Sequence, residues 1–112
     1  MKKRNFGFKY QSKNVKMIIG ECNNLISQTR GLMFRKKSLP LLFSFKRPVK
    51  MSIHSFFCVP FYAIWFQNGK IIDEKLVYPW KFSICPKQKF DKLLEIPSND
   101  KFFKIFTDER KV

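Results

Sequence analysis

The residues with the clearest chemical potential are two arginines, Arg30 and Arg35, which flank a Gly-Leu-Met-Phe tetrapeptide. A guanidinium group makes paired hydrogen bonds to carboxylates and phosphates, so this spacing predicts a site for an anion. The alternative is structural. Arg30 would bind the last carbonyl groups of a helix, and Arg35 would pair with an acid or stack on an aromatic ring. The sequence leaves both interpretations open.

The single histidine, His54, lies four residues before Cys58 and could serve as a general base for a thiol nucleophile. In a regular strand, however, residues 54 and 58 would be about 13 Å apart, too far for a hydrogen bond. One histidine and three scattered cysteines also lack the spacing of a metal site. We therefore expect a structural histidine, reduced cysteines, no metal and no cofactor.

Two further residues complete the candidate binding set. Ser52 lies beside His54, and Trp80 follows Pro79, where its ring is a possible stacking platform. Aromatic residues interleaved with lysines, as in FGFKY and YPWKF, suit single-stranded nucleic acid if their rings are exposed. If the rings fill the core instead, the pattern does not indicate binding of nucleic acid.

The chain is strongly basic, with 112 residues and a net charge of +15. Residues 1–72 hold 14 Lys and Arg but one acid. Such a field attracts polyanions, although 18 of the 23 bases are lysine and an abundance of Lys, Phe, Ile and Asn is also a compositional trend. The longest apolar run, residues 56–66, is broken by Pro60 and is too short for a membrane helix. We expect a single domain, 1–112, in the cytoplasm and away from membranes, with the oligomeric state left open.

The elements that must position these residues are mostly strands. Alternating or continuous apolar patterns predict strands in FGFKY, VKMIIG, LLFSF, MSIHSFF and FYAIWF, and KRPVK is predicted to be a turn. Asn68-Gly69 predicts a tight hairpin between YAIWFQ and KIIDEKLV, which Pro79 ends. FDKLLEIP fits a strand or a short helix. We expect a short helix after Asn23 and Asn24 that stops at Gly31, and a helix in KFFKIF is also possible.

Short strands separated by turn signals predict a mainly β fold. We expect a small β sandwich or open barrel with one short helix and a possible C-terminal helix.

The order of landmarks resembles an uncharacterised family, domain of unknown function 192, in its archaeal form. The resemblance rests on an Arg-Gly-Leu-Met-aromatic-Arg box, on an Ile-His block followed by a proline-led strand, and on the YPW and LEIP segments. The matching residues are Arg30, Gly31, Leu32, Met33, Phe34, Arg35, Ile53–Phe57, Pro60, Tyr78–Trp80 and Leu94–Pro97. The resemblance covers residues 15–97, which leaves 98–112 as a C-terminal extension.

The resemblance implies a jelly-roll-like sandwich and no particular reaction. Two features depart from the family pattern: Tyr62 stands where the family has an aspartate, and the closing Gly-Asp is absent. Our first hypothesis is a non-enzymatic binding module that holds an anionic ligand near Arg30, Arg35, Ser52, His54 and Trp80. A nucleic-acid-associated basic protein is the first alternative, and a small hydrolase-like enzyme is the second.

Overall fold

The computed structural model describes residues 2–22, 39–53, 55, 58–81 and 83–107. These residues form six strands and one short helix, in chain order β1 (Lys2–Tyr10), β2 (Lys13–Cys22), β3 (Leu41–Val49), β4 (Phe61–Gln67), β5 (Lys70–Val77), β6 (Phe90–Pro97) and α1 (Phe103–Thr107). The prediction of a mainly β fold with a C-terminal helix is confirmed. The other predicted helix and the arginine box, residues 23–38, lie outside the described residues.

The strands form one mixed sheet in the order β1-β2-β3-β6-β4-β5. Neighbouring strands are antiparallel except β2 and β3, which pair in parallel from Gly20 to Cys22. In a flat sheet, the four strand spacings between β1 and β4 would amount to about 19 Å. The rings of Phe8 on β1 and Phe66 on β4 are nevertheless 5.3 Å apart. The sheet is therefore curled into a half-barrel, and these rings lie on its concave face.

Strand β4 is buried on both faces because it is apolar at every position from Phe61 to Phe66. Its alternate residues Tyr62, Ile64 and Phe66 belong to the concave core. Phe61, Ala63 and Trp65 belong to a second core on the convex face. This confirms the expectation of a strand covered on both sides, and each fully buried large side chain contributes about 1.5–3 kcal/mol of hydrophobic stabilisation.

Aromatic rings from the two ends of the chain fill the concave side. Phe6 and Phe8 of β1 contact Phe66, and Phe106 of α1 stacks on Phe8 and Tyr62. A five-residue helix is too short to be stable alone, so the buried Phe106 ring is what holds α1 in place. The helix that the spacing of Phe102, Ile105 and Phe106 predicted is therefore present, and Phe106 holds it against the sheet.

Two tight turns shape the sheet. Asn68 and Gly69 adopt φ values of 51° and 78°, and β4 and β5 pair antiparallel around them, as the sequence predicts. The β1–β2 turn uses Gln11 and Ser12 at φ 48° and 69°, which the sequence indicated only as a polar break. Both pairs have the positive φ angles that suit the twist of a two-residue hairpin.

Two predicted elements differ in the structure. KRPVK is not a separate turn, because β3 continues through it to Val49, with an irregular register between Ser44 and Val49. A bulge of this kind accepts Pro48, which has no amide proton to donate. MSIHSFF forms no extended strand among its described residues, where Ile53 makes an isolated bridge to Ile84. FDKLLEIP, which fitted two element types, is strand β6.

Candidate functional site

The predicted binding residues fall into two groups. Arg30, Arg35 and His54 lie outside the described residues, as do Gly31–Phe34. Ser52 and Trp80 are described. Trp80 lies in the segment that follows β5, and Ser52 contacts that segment. The Ser52 hydroxyl accepts a hydrogen bond from Ser83 at 2.9 Å, and the Trp80 side chain is 57% exposed. Pro79 precedes the turn at Trp80, and Pro60 immediately precedes β4.

Ser55 organises the backbone around Trp80. Its hydroxyl donates to the carbonyl of Tyr78 and accepts from the amide of Lys81, both at 2.7 Å. Its own carbonyl accepts from the amide of Trp80 at 3.0 Å. Ser55 is fully buried, so water does not compete with these bonds. Together they hold Trp80 at φ 67°, a left-handed conformation that a bulky residue keeps only when its surroundings enforce it.

The segment fixed by Ser55 forms one wall of a cleft of about 260 Å³. We call it the β5 cleft. Its lining residues come from the end of β5 and from the loop that follows: Lys75, Leu76, Val77, Tyr78, Lys81, Ser83, Ile84 and Cys85. Tyr78 is 58% exposed, so an aromatic ring faces solvent at the cleft and the exposed Trp80 ring is two residues away.

Among the described residues, the lining contains two cations and no acid. The Lys75 ammonium donates to the carbonyl of Cys85 at 2.9 Å and lies 5.9 Å from the centre of the Trp65 ring, which fixes its position. The Lys81 side chain is exposed. Fixed positive charge beside exposed aromatic rings suits a ligand that combines an anionic group with a planar or apolar part.

A cluster of three polar side chains, separate from the β5 cleft, links the two edge strands of the half-barrel, β1 and β5. The hydroxyls of Tyr10 on β1 and Tyr62 on β4 both donate to the Glu74 carboxylate on β5, the former at 2.5 Å. Burial and then the hydrogen bond to Glu74 raise the pKa of Tyr10 to about 12 and raise the pKa of Tyr62 further. Tyr62, at the position where the resemblance expected an aspartate, therefore contacts a carboxylate supplied by the neighbouring strand.

The convex core contains a buried acid, Glu95, which is 5% exposed and lies on β6 between Leu41 and Ala63. Burial raises the pKa of Glu95 to about 8. Burial, and to a smaller extent the charge of Glu95, raises the pKa of Cys58 to about 11. A thiol with this pKa is protonated at neutral pH and is a weak nucleophile, so the geometry does not support the thiolate chemistry considered for Cys58.

Sequence reasoning missed most of these groups. An acid inside the apolar run LLEIP was the available signal for Glu95. For Ser55, Lys75 and Lys81 the sequence carried no usable signal, because their roles depend on contacts between segments that are distant in the chain.

Two kinds of feature are absent from the described ranges. No group of three or more His, Cys, Asp and Glu side chains among those residues could hold a metal ion. No helix in the part of the chain that the structure describes is long and apolar enough to cross a membrane.

The fold defines a class of small β proteins that are built on a curled six-stranded sheet. Two solved structures are similar to it. One is a "putative transcription regulator" from Sinorhizobium meliloti 1021, with a TM-score of 0.74, 15% identity, and coverage of 85% of this chain and 79% of that chain. The other is a protein of unknown function from Novosphingobium aromaticivorans DSM 12444. It has a TM-score of 0.76, 15% identity, and coverage of 87% of this chain and 74% of that chain.

No family model and no curated protein matches the sequence. At 15% identity, the likeness to the two solved structures is a likeness of fold alone.

Proposed function

We propose that this protein is a non-enzymatic binding module and that its β5 cleft holds a small anionic ligand with a planar part. The observation that supports the proposal is that Lys75, Lys81 and the exposed Tyr78 ring line one cleft, with no acid among its described lining residues. The exposed Trp80 ring is two residues from Tyr78. The Trp80 backbone is strained, and three hydrogen bonds between Ser55 and the backbone of Tyr78, Trp80 and Lys81 hold it, which supports a role for a preorganised ring.

We also propose that the chain is a divergent member of the domain of unknown function 192 family. The arginine box and the order of landmarks support this assignment, and the mainly β architecture agrees with it. The proposal adds Arg30, Arg35 and His54 to the same ligand site. Substitution of these three residues tests that prediction.

The test uses adenosine monophosphate and inorganic phosphate as probes, at low ionic strength, with Trp80 fluorescence and calorimetry as readouts. A charge-assisted hydrogen bond contributes about 1.5–3 kcal/mol, so Lys81→Ala should weaken binding of the nucleotide about tenfold or more. Lys70→Ala removes the same charge from the other end of β5 and should leave binding unchanged. Absence of binding of both probes, or equal loss in the two variants, would contradict the proposal.

The alternative function is association with nucleic acid. It is supported by the net charge of +15 and by the name of the Sinorhizobium neighbour, which describes a regulator of transcription. Binding of random DNA that weakens steeply with added salt is the expected result, and absence of binding at low salt would remove this alternative.

A further inference from the structure

We infer that the convex face of the β1–β2 hairpin is a docking surface for the phosphate backbone of duplex DNA. This inference rests on the alternative function above, association with nucleic acid, and adds to it the surface and the form of the nucleic acid.

The register of the hairpin separates its residues onto two faces. Phe6, Phe8 and Tyr10 point to the concave side, where their rings contact Phe66 and Phe106. The alternate residues must therefore point outward, because successive side chains of a strand lie on opposite faces. We call this outward surface the ribbon face. Its residues are all exposed: Lys3, Asn5, Gly7, Lys9, Asn14, Lys16 and Ile18.

The charge on the hairpin is one-sided. Residues 2–22 carry six bases and one acid, Glu21, and that acid is paired with Arg4. Lys3, Lys9 and Lys16 remain on the ribbon face. Beyond the hairpin, Asp100 shares a cleft with Lys16, and the Asp100 carboxylate accepts from the amide of Phe102. Among the described residues, none of Lys3, Lys9 and Lys16 forms an ion pair, so their positive charge is available to an external anion.

The ribbon face has a shallow depression at Gly7, which we call the seat. Gly7 lies opposite Lys16 and next to the pair Lys9–Asn14. Because Gly7 has no side chain, a depression of about 320 Å³ lies there, and Lys9, Asn14 and Lys16 line it together with Phe8 and Val15. Lys9 and Lys16 are diagonal neighbours across the two strands, about 7–8 Å apart, and can both reach one phosphate or two adjacent ones.

The composition of the ribbon face favours duplex DNA over single-stranded nucleic acid and over membranes. It carries no aromatic ring, so it lacks the stacking platforms that single strands require. Ile18 is its one apolar side chain of any size, which is too little for insertion into a membrane surface. Lys3 and Lys9 are about 20 Å apart along β1, a length over which duplex DNA presents about twelve phosphate charges. A two-stranded ribbon is also narrow enough for the major groove.

The experiment measures binding of the full chain to a fluorescent random duplex as a function of salt. Three lysine–phosphate contacts predict a slope of about −3 in log K against log salt concentration. The double variant Lys9→Ala/Lys16→Ala should reduce the slope by about 2, and Lys9→Arg/Lys16→Arg should retain it. The control Lys70→Ala/Lys89→Ala removes two exposed lysines elsewhere and should keep the wild-type slope.

A second variant tests the seat without changing the charge. In Gly7→Val the side chain enters the depression, and a β-branched residue suits an exposed strand, so affinity should fall while the melting temperature is maintained.

The outcomes separate this inference from the function on which it rests. No binding to duplex or single-stranded DNA at low salt would overturn both. Duplex binding with the same slope in the Lys9/Lys16 variant as in the Lys70/Lys89 control would overturn the ribbon face alone. Preference for single strands or for anionic vesicles over the duplex would also overturn it.

Discussion

The buried Glu95 predicts an unusual dependence of stability on pH. Burial raises the pKa of this carboxyl from 4.5 to about 8. Between these two values the folded protein keeps a proton that the unfolded chain has released. The free energy of unfolding should therefore fall as pH rises, by about 1.4 kcal/mol per pH unit at most. The contribution is fully present below pH 4.5 and is lost by about pH 8.

The total effect follows from the difference between the two pKa values. It corresponds to about 5 kcal/mol at most, a large share of the 5–15 kcal/mol that is typical of a small domain. Glu95→Gln replaces the carboxyl with a neutral group of the same shape. The variant should match the wild type near pH 4.5 and exceed it increasingly up to pH 8.

The assay is urea denaturation at several pH values from 5 to 9, followed by tryptophan fluorescence. A gain of about 3 kcal/mol moves the urea midpoint by about 1 M or more, which is readily measured. Asp73→Asn removes one negative charge from the same sheet. Because the Asp73 carboxylate accepts from the amides of Glu74 and Lys87, the pH dependence of this control is compared and not its absolute stability.

Two results would refute the reasoning. Wild type and Glu95→Gln with parallel stability profiles from pH 5 to 9 would show that Glu95 has an ordinary pKa. A wild type that is more stable than Glu95→Gln at pH 9 would show that the carboxylate is ionised and held by a cation.

Three further predictions concern stability at neutral pH and are checked by urea denaturation. Gly69→Ala should cost about 1–2 kcal/mol, because φ is 78° there while the added methyl group meets nothing within 4 Å; an unchanged midpoint would exclude backbone strain. Ser55→Ala should cost about 1–3 kcal/mol by removing the hydrogen bonds of the Ser55 hydroxyl to the Tyr78 carbonyl and the Lys81 amide, and it should broaden the tryptophan fluorescence lifetimes. Tyr62→Phe should cost about 1.5–3 kcal/mol through the lost bond to Glu74, and full retention of stability would show that this bond contributes little.

The local signals in the sequence were sufficient for most strands. The continuous apolar run of β4 has no polar face to turn to water, so it specifies a strand covered on both sides. Asn68 and Gly69 specify their hairpin because both accept positive φ angles. The strand predicted in MSIHSFF is reduced, among its described residues, to an isolated bridge between Ile53 and Ile84, because alternation does not tell whether a partner strand is available.

The candidate site was less predictable than the fold. Trp80 was proposed from its place after Pro79, and the structure exposes its ring. Lys75 and Lys81 were absent from the prediction, since lysines are common in this chain and nothing local distinguishes these two.

The sequence by itself determined which segments are extended and where two of them turn back, because these properties depend on neighbouring residues and on backbone preferences. Only the tertiary structure decided which strands are neighbours, that Tyr10 on β1 bonds to Glu74 on β5, and that Glu95 is buried. Those outcomes depend on how the whole sheet curls, a property that results from packing among residues far apart in the chain.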